Sequence, residues 1–191
     1  YPPHAFVSPL DVDPDFADRT VVVNGGSKTY AMTGLRIGWA VAPEPLIRAM
    51  SKLQGQSTSN ASAPVQHALV AALEGDQGCV DRMRDAFLQR RDRIVRRLRA
   101  IDGVTCFEPK GAFYVFPNVE AVLGRRTPTG GAIQSAGDLC EHLVADQELV
   151  VVPGEPFGAP GNARLSFAVD LDTIERGLDR LEAGLASLTR V

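Results

Sequence analysis

The sequence has few cysteines and no long apolar run, and these two absences exclude several classes of protein. Only three cysteines occur among the 191 residues, and Cys79, Cys106 and Cys140 lie far apart without metal-ligand spacing. We expect reduced thiols and a cytoplasmic protein rather than a disulfide framework. No apolar stretch approaches the roughly 20 residues that a membrane helix needs, so no membrane partner is expected.

The sequence also lacks an excess of positive charge and any clustering of histidines. It carries 20 basic and 23 acidic residues, which gives a formal net charge of −3. A general nucleic-acid binder presents a concentrated positive surface, so nucleic acid is not expected as a partner. The three histidines, His4, His67 and His142, are scattered, which argues against a zinc site and against a Cys-His nucleophile pair.

Apolar spacing and turn-forming residues predict a chain of mixed strands and helices. The predicted strands are 20–24, 36–42, 104–107, 112–117, 149–152 and 162–167. The predicted helices begin at 43–45, 63, 81, 138 and 171. A polar stretch at 54–62 and a Gly/Thr/Pro-rich stretch at 124–137 are predicted to be loops.

The longest predicted helix, at about 81–101, has an apolar face and an arginine-rich face. The second face carries eight arginines: Arg82, Arg84, Arg90, Arg91, Arg93, Arg96, Arg97 and Arg99. Aspartates are interleaved with these arginines, and no aromatic residue accompanies them. We therefore interpret this face as a solvated surface rather than a nucleic-acid site.

The most informative segment surrounds Lys28 and runs from Asn24 to Gly38. A lysine amine bonds a carbonyl cofactor when a fixed backbone holds it and its pKa falls toward neutrality. Glycines and Ser27 allow a tight turn whose backbone can approach a phosphate closely. Arg36 has a planar fork of donors that can bind the same phosphate through two hydrogen bonds.

A second candidate site lies in the run Val152–Ala168, which contains Pro153-Gly154, Phe157-Gly158 and Arg164-Leu165-Ser166. The guanidinium of Arg164 is always charged and planar. It can therefore hold an α-carboxylate at two points and orient the neighbouring Cα–H bond.

These two segments, together with Gly111-Ala112-Phe113-Tyr114, resemble the pyridoxal-phosphate (PLP) aminotransferases of the aspartate aminotransferase superfamily, fold type I. The resemblance covers essentially the whole chain and implies an α/β fold class. Residues 1–85 would be the C-terminal part of the large PLP-binding α/β domain, and 86–191 a small α+β C-terminal domain, with the long helix as connector. In that family the lysine motif lies past the middle of the chain, so this sequence is expected to be an incomplete C-terminal fragment.

The resemblance also implies a role for each candidate residue. Lys28 would form the Schiff base with pyridoxal 5'-phosphate and move a proton, while Ser27 and Arg36 would bind the cofactor phosphate. Tyr1 occupies the place of a tyrosine that hydrogen-bonds the phenolate oxygen of the cofactor, and Arg164 would bind the substrate α-carboxylate. The implied partners are an α-amino acid and a 2-oxo acid, and the implied assembly of the intact protein is a homodimer.

Family residues that precede the lysine motif are outside this sequence, among them the aspartate that contacts the pyridine nitrogen. The fragment alone is therefore expected to be inactive. The stretch Gln56–Ser59 looks most like the bacterial aspartate and aromatic subgroup, but 53–66 contains no basic residue, so the substrate amino acid stays open. Two alternatives remain, a PLP-dependent C–S β-lyase and a non-catalytic sensor domain of a transcription regulator. The regulator would need an upstream winged-helix segment.

Overall fold

The boundary between two structural units falls inside one long helix in the computed structural model, which describes residues 1–190. The first unit is Pro3–Arg84. The second unit comprises Tyr1–Pro2 and the chain from Asp85 onward.

The first unit is built from a two-stranded antiparallel sheet and several helices. Its elements are α1 (Pro9–Val12), β1 (Val22–Gly25), α2 (Gly26–Thr29), β2 (Gly38–Val41), α3 (Glu44–Ser57), α4 (Ala63–Glu74) and the start of α5 (Gly78–Ala100). The predicted pairing of the two strands is confirmed, with Val22 opposite Val41 and Gly25 opposite Gly38. The predicted long helix is also confirmed, as α5.

The core of the first unit is small. Ile37 and Leu69 are its buried large apolar side chains among the residues that the structure describes. By contrast, Val23 is 75% exposed, Leu53 is 73% exposed, and Val41 also faces outward. The first unit therefore leaves several large apolar side chains uncovered by its own small core.

The predicted loop at 54–62 is wrong over its first half. Helix α3 continues to Ser57, and the Ser57 hydroxyl donates to the Leu53 carbonyl at 3.0 Å. Glutamine is a good helix former, so the polarity of Gln54 and Gln56 marks an exposed helix end rather than a loop. The connection to α4 is therefore only Thr58–Ser62.

The second unit places helices around a three-stranded antiparallel sheet. After α5 its elements are β3 (Tyr114–Val115), α6 (Ala136–Gln147), β4 (Val152–Pro153), β5 (Ala163–Ser166) and α7 (Leu171–Ala186). The strand order is β3-β5-β4, so β5 is the central strand. Tyr114 lies opposite Ser166 on one side of β5, and Val152 lies opposite Arg164 on the other.

A continuous apolar core fills the second unit. Its most deeply buried side chains are Leu98, Val115, Val119, Val122, Ile133, Leu139, Leu143, Phe167 and Leu178. Helix α7 approaches α6 closely at Gly184, where an added Cβ would lie 2.5 Å from the Leu143 side chain. The apolar repeat of α7 therefore serves packing within one chain, and a larger residue at Gly184 would separate the two helices.

The strands predicted at 104–107 and 112–117 are mostly wrong. Only Tyr114–Val115 forms a regular ladder, and Thr105 makes a single isolated bridge with Asn118. Ala112 has a φ of +61°, in the left-handed region, which interrupts the extended backbone just before β3. Val104, Cys106 and Val115 of these segments are buried without long strand pairing.

The arginine-rich face of α5 is not the uniformly solvated surface that the sequence predicted. Arg91 is only 7% exposed. Arg93 and Arg97 both form ion pairs with Glu175 of α7. Through these contacts, several of the arginines connect α5 to neighbouring segments of the second unit. The contacts with Arg93 and Arg97 also lower the pKa of the Glu175 carboxyl.

None of the helices within residues 1–190 is both long enough and apolar enough to cross a membrane.

Candidate functional site

Lys28 lies in the short helix α2, directly after β1. The strand ends where Gly25 and Gly38 face each other across the sheet. A Cβ on Gly38 would lie 2.8 Å from the Asn24 carbonyl oxygen, and one on Gly25 would lie 3.1 Å from the Ile37 carbonyl oxygen. A side chain at Gly38 would force the backbone apart, and one at Gly25 would be tight, so the close approach of the two strands constrains the turn that carries Lys28.

The backbone just before Lys28 is also fixed by packing against neighbouring side chains. Gly26 is buried, and a Cβ at this position would lie 3.0 Å from Leu69 of α4 and 3.4 Å from the Met32 sulfur. The Lys28 side chain itself is exposed. The structure thus provides the fixed backbone with an accessible amine that a covalent lysine needs.

Arg36 follows a single 3₁₀ turn, Thr33–Leu35, and has left-handed backbone angles of +53° and +54°. Ala31 shares this unusual conformation, with a φ of +54°. Non-glycine residues in this region cost roughly 1–3 kcal/mol each and cluster at ligand-binding sites. Arg36 donates from Nη1 to the Thr33 carbonyl at 2.8 Å and has no carboxylate within 4 Å in the part of the chain that the structure describes.

The first unit carries three hydrogen-bond donors on one short segment: Ser27, Lys28 and Arg36. Ser27 is half-buried, and its hydroxyl has no hydrogen-bond partner among residues 1–190. A hydroxyl, an amine and a guanidinium within ten residues match the needs of a phosphate dianion next to a carbonyl group. The residues present therefore fit a phosphorylated aldehyde cofactor.

Arg164 projects from the central strand of the second unit and is half-buried. Its guanidinium carbon lies 4.6 Å from the ring centroid of Tyr114 and 4.7 Å from that of Phe157. Within residues 1–190, it has no acidic group within 4 Å and no hydrogen-bond acceptor. A partly desolvated arginine without a paired acid is ready to bind an anion.

A glycine-dependent turn places Phe157 beside Arg164. The amide of Gly154 donates to the Asn162 carbonyl at 2.8 Å, and a Cβ on Gly154 would overlap the Ala159 carbonyl oxygen. The 3₁₀ turn Glu155–Phe157 then ends at Gly158, whose φ of +71° favours glycine. The Pro-Gly and Phe-Gly pairs in the sequence are thus explained by the geometry of this turn.

Tyr1 belongs to the second unit, apart from the other three predicted cofactor residues. Its hydroxyl donates to the Ala112 carbonyl, and its ring lies 5.0 Å from the Arg91 guanidinium carbon. Burial raises the pKa of Tyr1, and the charge of Arg91 partly opposes that rise. A phenol has one proton to donate, so binding a cofactor phenolate would require Tyr1 to leave Ala112. Its cofactor role stays a prediction.

Tyr114 and Phe157 lie within the sequence motifs, but the sequence alone indicates no role for either of them. Tyr114 lies opposite Ser166, which is two residues from Arg164 on the same face of β5. The alternation of side chains along β5 can be predicted from the sequence, whereas the pairing of β3 with β5 cannot. Burial and the neighbouring Glu155 raise the pKa of Cys140 to about 11, so its thiol stays protonated near neutral pH.

Comparison with known proteins places this geometry in a family. Residues 2–181 match the family model for "Aminotransferase class I and II". The chain is 46% identical over 171 residues to an aspartate aminotransferase of Streptomyces avermitilis, covering 90% of this chain and 42% of that protein. It is 43% identical over 184 residues to an aspartate aminotransferase of Rhizobium meliloti, covering 96% of this chain and 45% of that protein.

Solved structures agree with the sequence matches. The crystal structure of an aspartate aminotransferase from Rhizobium meliloti superimposes with a TM-score of 0.96 at 42% identity, covering 99% of this chain and 47% of that one. The aromatic aminotransferase from Pyrococcus horikoshii gives a TM-score of 0.87 at 30% identity, covering 97% and 48%. The chain therefore spans about half the length of the relatives it matches. The cofactor of this class is pyridoxal 5'-phosphate, and the chain belongs to the class I and II aminotransferases, with the fold type I architecture of the aspartate aminotransferase superfamily.

Proposed function

We propose that this chain carries the lysine and the carboxylate-binding arginine of an aminotransferase that moves an amino group from an α-amino acid to a 2-oxo acid. The observation that carries the proposal is Arg164, a guanidinium between aromatic rings with no acid partner among residues 1–190. It lies in the same chain as Lys28, which a fixed, glycine-dependent turn presents.

Each residue has a distinct task in this proposal. When bound, pyridoxal 5'-phosphate supplies a carbonyl carbon for the amine and an electron sink for the substrate. Lys28 would hold the cofactor through Nζ, and the same amine would serve as the general base and acid for the proton at the substrate Cα. Ser27 and Arg36 would hold the phosphate, Arg36 through the guanidinium donors that the Thr33 carbonyl does not use. Arg164 holds the α-carboxylate and so orients the Cα–H bond.

Further parts of the proposal concern the intact enzyme. We propose that additional chain, comparable in length to this one, completes the large PLP-binding domain, of which 1–85 form the end and after which 86–191 form the small domain. The coverage of the relatives and the exposed Val23, Val41 and Leu53 of the first unit support this division. We also propose a homodimer in the cytoplasm, on the resemblance to the superfamily and the scattered cysteines.

The names of the relatives favour transamination over β-elimination. The related proteins from Streptomyces avermitilis and Rhizobium meliloti are named aspartate aminotransferases. L-aspartate with 2-oxoglutarate is therefore the first substrate pair to assay. Since 53–66 contains no basic side chain, a group that recognises a second substrate carboxylate would have to lie elsewhere in the intact enzyme.

Reductive labelling tests the assignment of the cofactor lysine. Borohydride treatment of the intact enzyme in the presence of pyridoxal 5'-phosphate should attach a pyridoxyl group to Lys28, and peptide mapping by mass spectrometry locates it. Lys52 and Lys110 are the internal controls, since each is exposed on a segment without the glycine turn. A label on either of those two instead of Lys28 would remove Lys28 from the mechanism.

The chain by itself is expected to be catalytically silent. The aspartate that would contact the pyridine nitrogen in the family precedes the lysine motif, and without it the ring is a poor electron sink. The measurement compares the purified 191-residue chain with free pyridoxal 5'-phosphate, using L-aspartate and 2-oxoglutarate. Turnover above that of the free cofactor would contradict the expectation.

A further inference from the structure

Arg164 is held by aromatic rings that come from both sides of its strand. Strands β3 and β4 flank β5. Tyr114 belongs to β3, and Phe157 follows β4 by four residues. Both rings lie within 5 Å of the guanidinium carbon, at 4.6 and 4.7 Å from ring centroid to carbon. The two contacts are thus built by the strand order, not by residues next to Arg164 in the chain.

Each of these rings is itself anchored by a second aromatic ring. The Tyr114 ring lies 4.4 Å from Phe113, and the Phe157 ring makes an edge-to-face contact with Phe116 at 6.1 Å. Such pairs stabilise ring orientation beyond simple area burial. Two supported rings therefore limit how far the guanidinium can turn.

Contact with the ring faces leaves the N–H donors of Arg164 available for a ligand. A ring face attracts the charge of a guanidinium but does not take up its in-plane N–H groups. Arginine loses much rotamer freedom when it is ordered, and a stacked arginine has lost part of it before the ligand arrives. The rings also cover part of the guanidinium, and partial loss of water strengthens a charge-assisted hydrogen bond to a carboxylate.

We propose that Tyr114 and Phe157 are positioning residues that hold Arg164 in the orientation that binds the substrate α-carboxylate. This inference rests on the proposed function of Arg164. The rings act through Arg164 and take no part in the bond changes, so their loss weakens substrate binding and leaves the proton transfer at Lys28 largely intact.

The test uses the intact enzyme with L-aspartate and 2-oxoglutarate. Tyr114→Leu and Phe157→Leu should each raise KM roughly two- to thirty-fold, as expected for loss of one cation–π contact, with a smaller change in kcat. Tyr114→Phe and Phe157→Tyr keep a ring and should retain the parental KM. Phe107→Leu is the matched control, since Phe107 is an exposed phenylalanine of the same unit, at 75%, and should leave KM unchanged.

The outcomes separate this inference from the proposed function. Phe157 is 51% exposed, so its leucine variant is expected to retain the fold. If both leucine variants keep KM within about twofold of the parent while Arg164→Lys raises it, the aromatic positioning is overturned and the function of Arg164 stands. Ring-retaining variants that lose as much as the leucine variants would also overturn it. If Arg164→Lys itself changes nothing, the proposed function of Arg164 fails first.

Discussion

Replacing Lys28 with alanine should lower kcat of the intact enzyme by about 10⁴-fold or more. The change removes the amine that bonds the cofactor and also the base that moves the substrate proton, and proton transfer alone contributes roughly 10²–10⁴-fold. Steady-state assays with L-aspartate and 2-oxoglutarate measure the loss, and mass spectrometry after borohydride should find no pyridoxyl group at this segment.

The control for Lys28 is Lys52→Ala, an exposed lysine of helix α3 in the same unit. It should retain parental kcat and KM. Because Ser27 and Arg36 remain in place, the Lys28→Ala enzyme should still bind the cofactor, now without a covalent bond. A Lys28→Ala enzyme that keeps more than about a tenth of parental kcat would show that another group does this chemistry.

Replacing Arg164 with lysine should cost roughly 2–4 kcal/mol of transition-state binding, or about thirty- to a thousand-fold in kcat/KM. Lysine keeps the charge but loses the planar fork that contacts both carboxylate oxygens. It also loses the stacking on Tyr114 and Phe157. Since every amino-acid substrate has an α-carboxylate, the loss should be similar for each of them, while the absorbance of the bound cofactor stays normal.

Two matched arginine variants complete the Arg164 experiment. Arg176→Lys changes an exposed arginine of helix α7 and should have no effect on kcat/KM. Arg36→Lys should show the reverse pattern from Arg164→Lys, with weaker retention of the cofactor before any loss of substrate binding. Unchanged kcat/KM in Arg164→Lys across several amino acids would remove Arg164 from the substrate site.

Some elements were predictable because their signals are local. The β1–β2 pair follows from two apolar runs separated by the single segment 26–37, and α5 follows from a long apolar repeat. Other expectations failed because polarity and apolar spacing do not by themselves fix the backbone conformation. Helix α3 extends through a polar stretch, and Ala112 takes a left-handed conformation at the start of the predicted strand 112–117. Arg91 was counted with a solvated face and is buried.

What the sequence determined by itself is the set of chemical groups and their family. Ser27, Lys28 and Arg36 lie within ten residues, so their order and spacing are enough to indicate a phosphate and a carbonyl partner. Only the tertiary structure decided the surroundings of Arg164. Tyr114, about fifty residues away in the chain, reaches it through the pairing of β3 with β5, and Phe157 reaches it through the turn between β4 and β5. A local motif can be recognised in a sequence because residues close in the chain remain close in the folded protein. Contacts between distant strands depend on the strand register, which only the folded chain fixes.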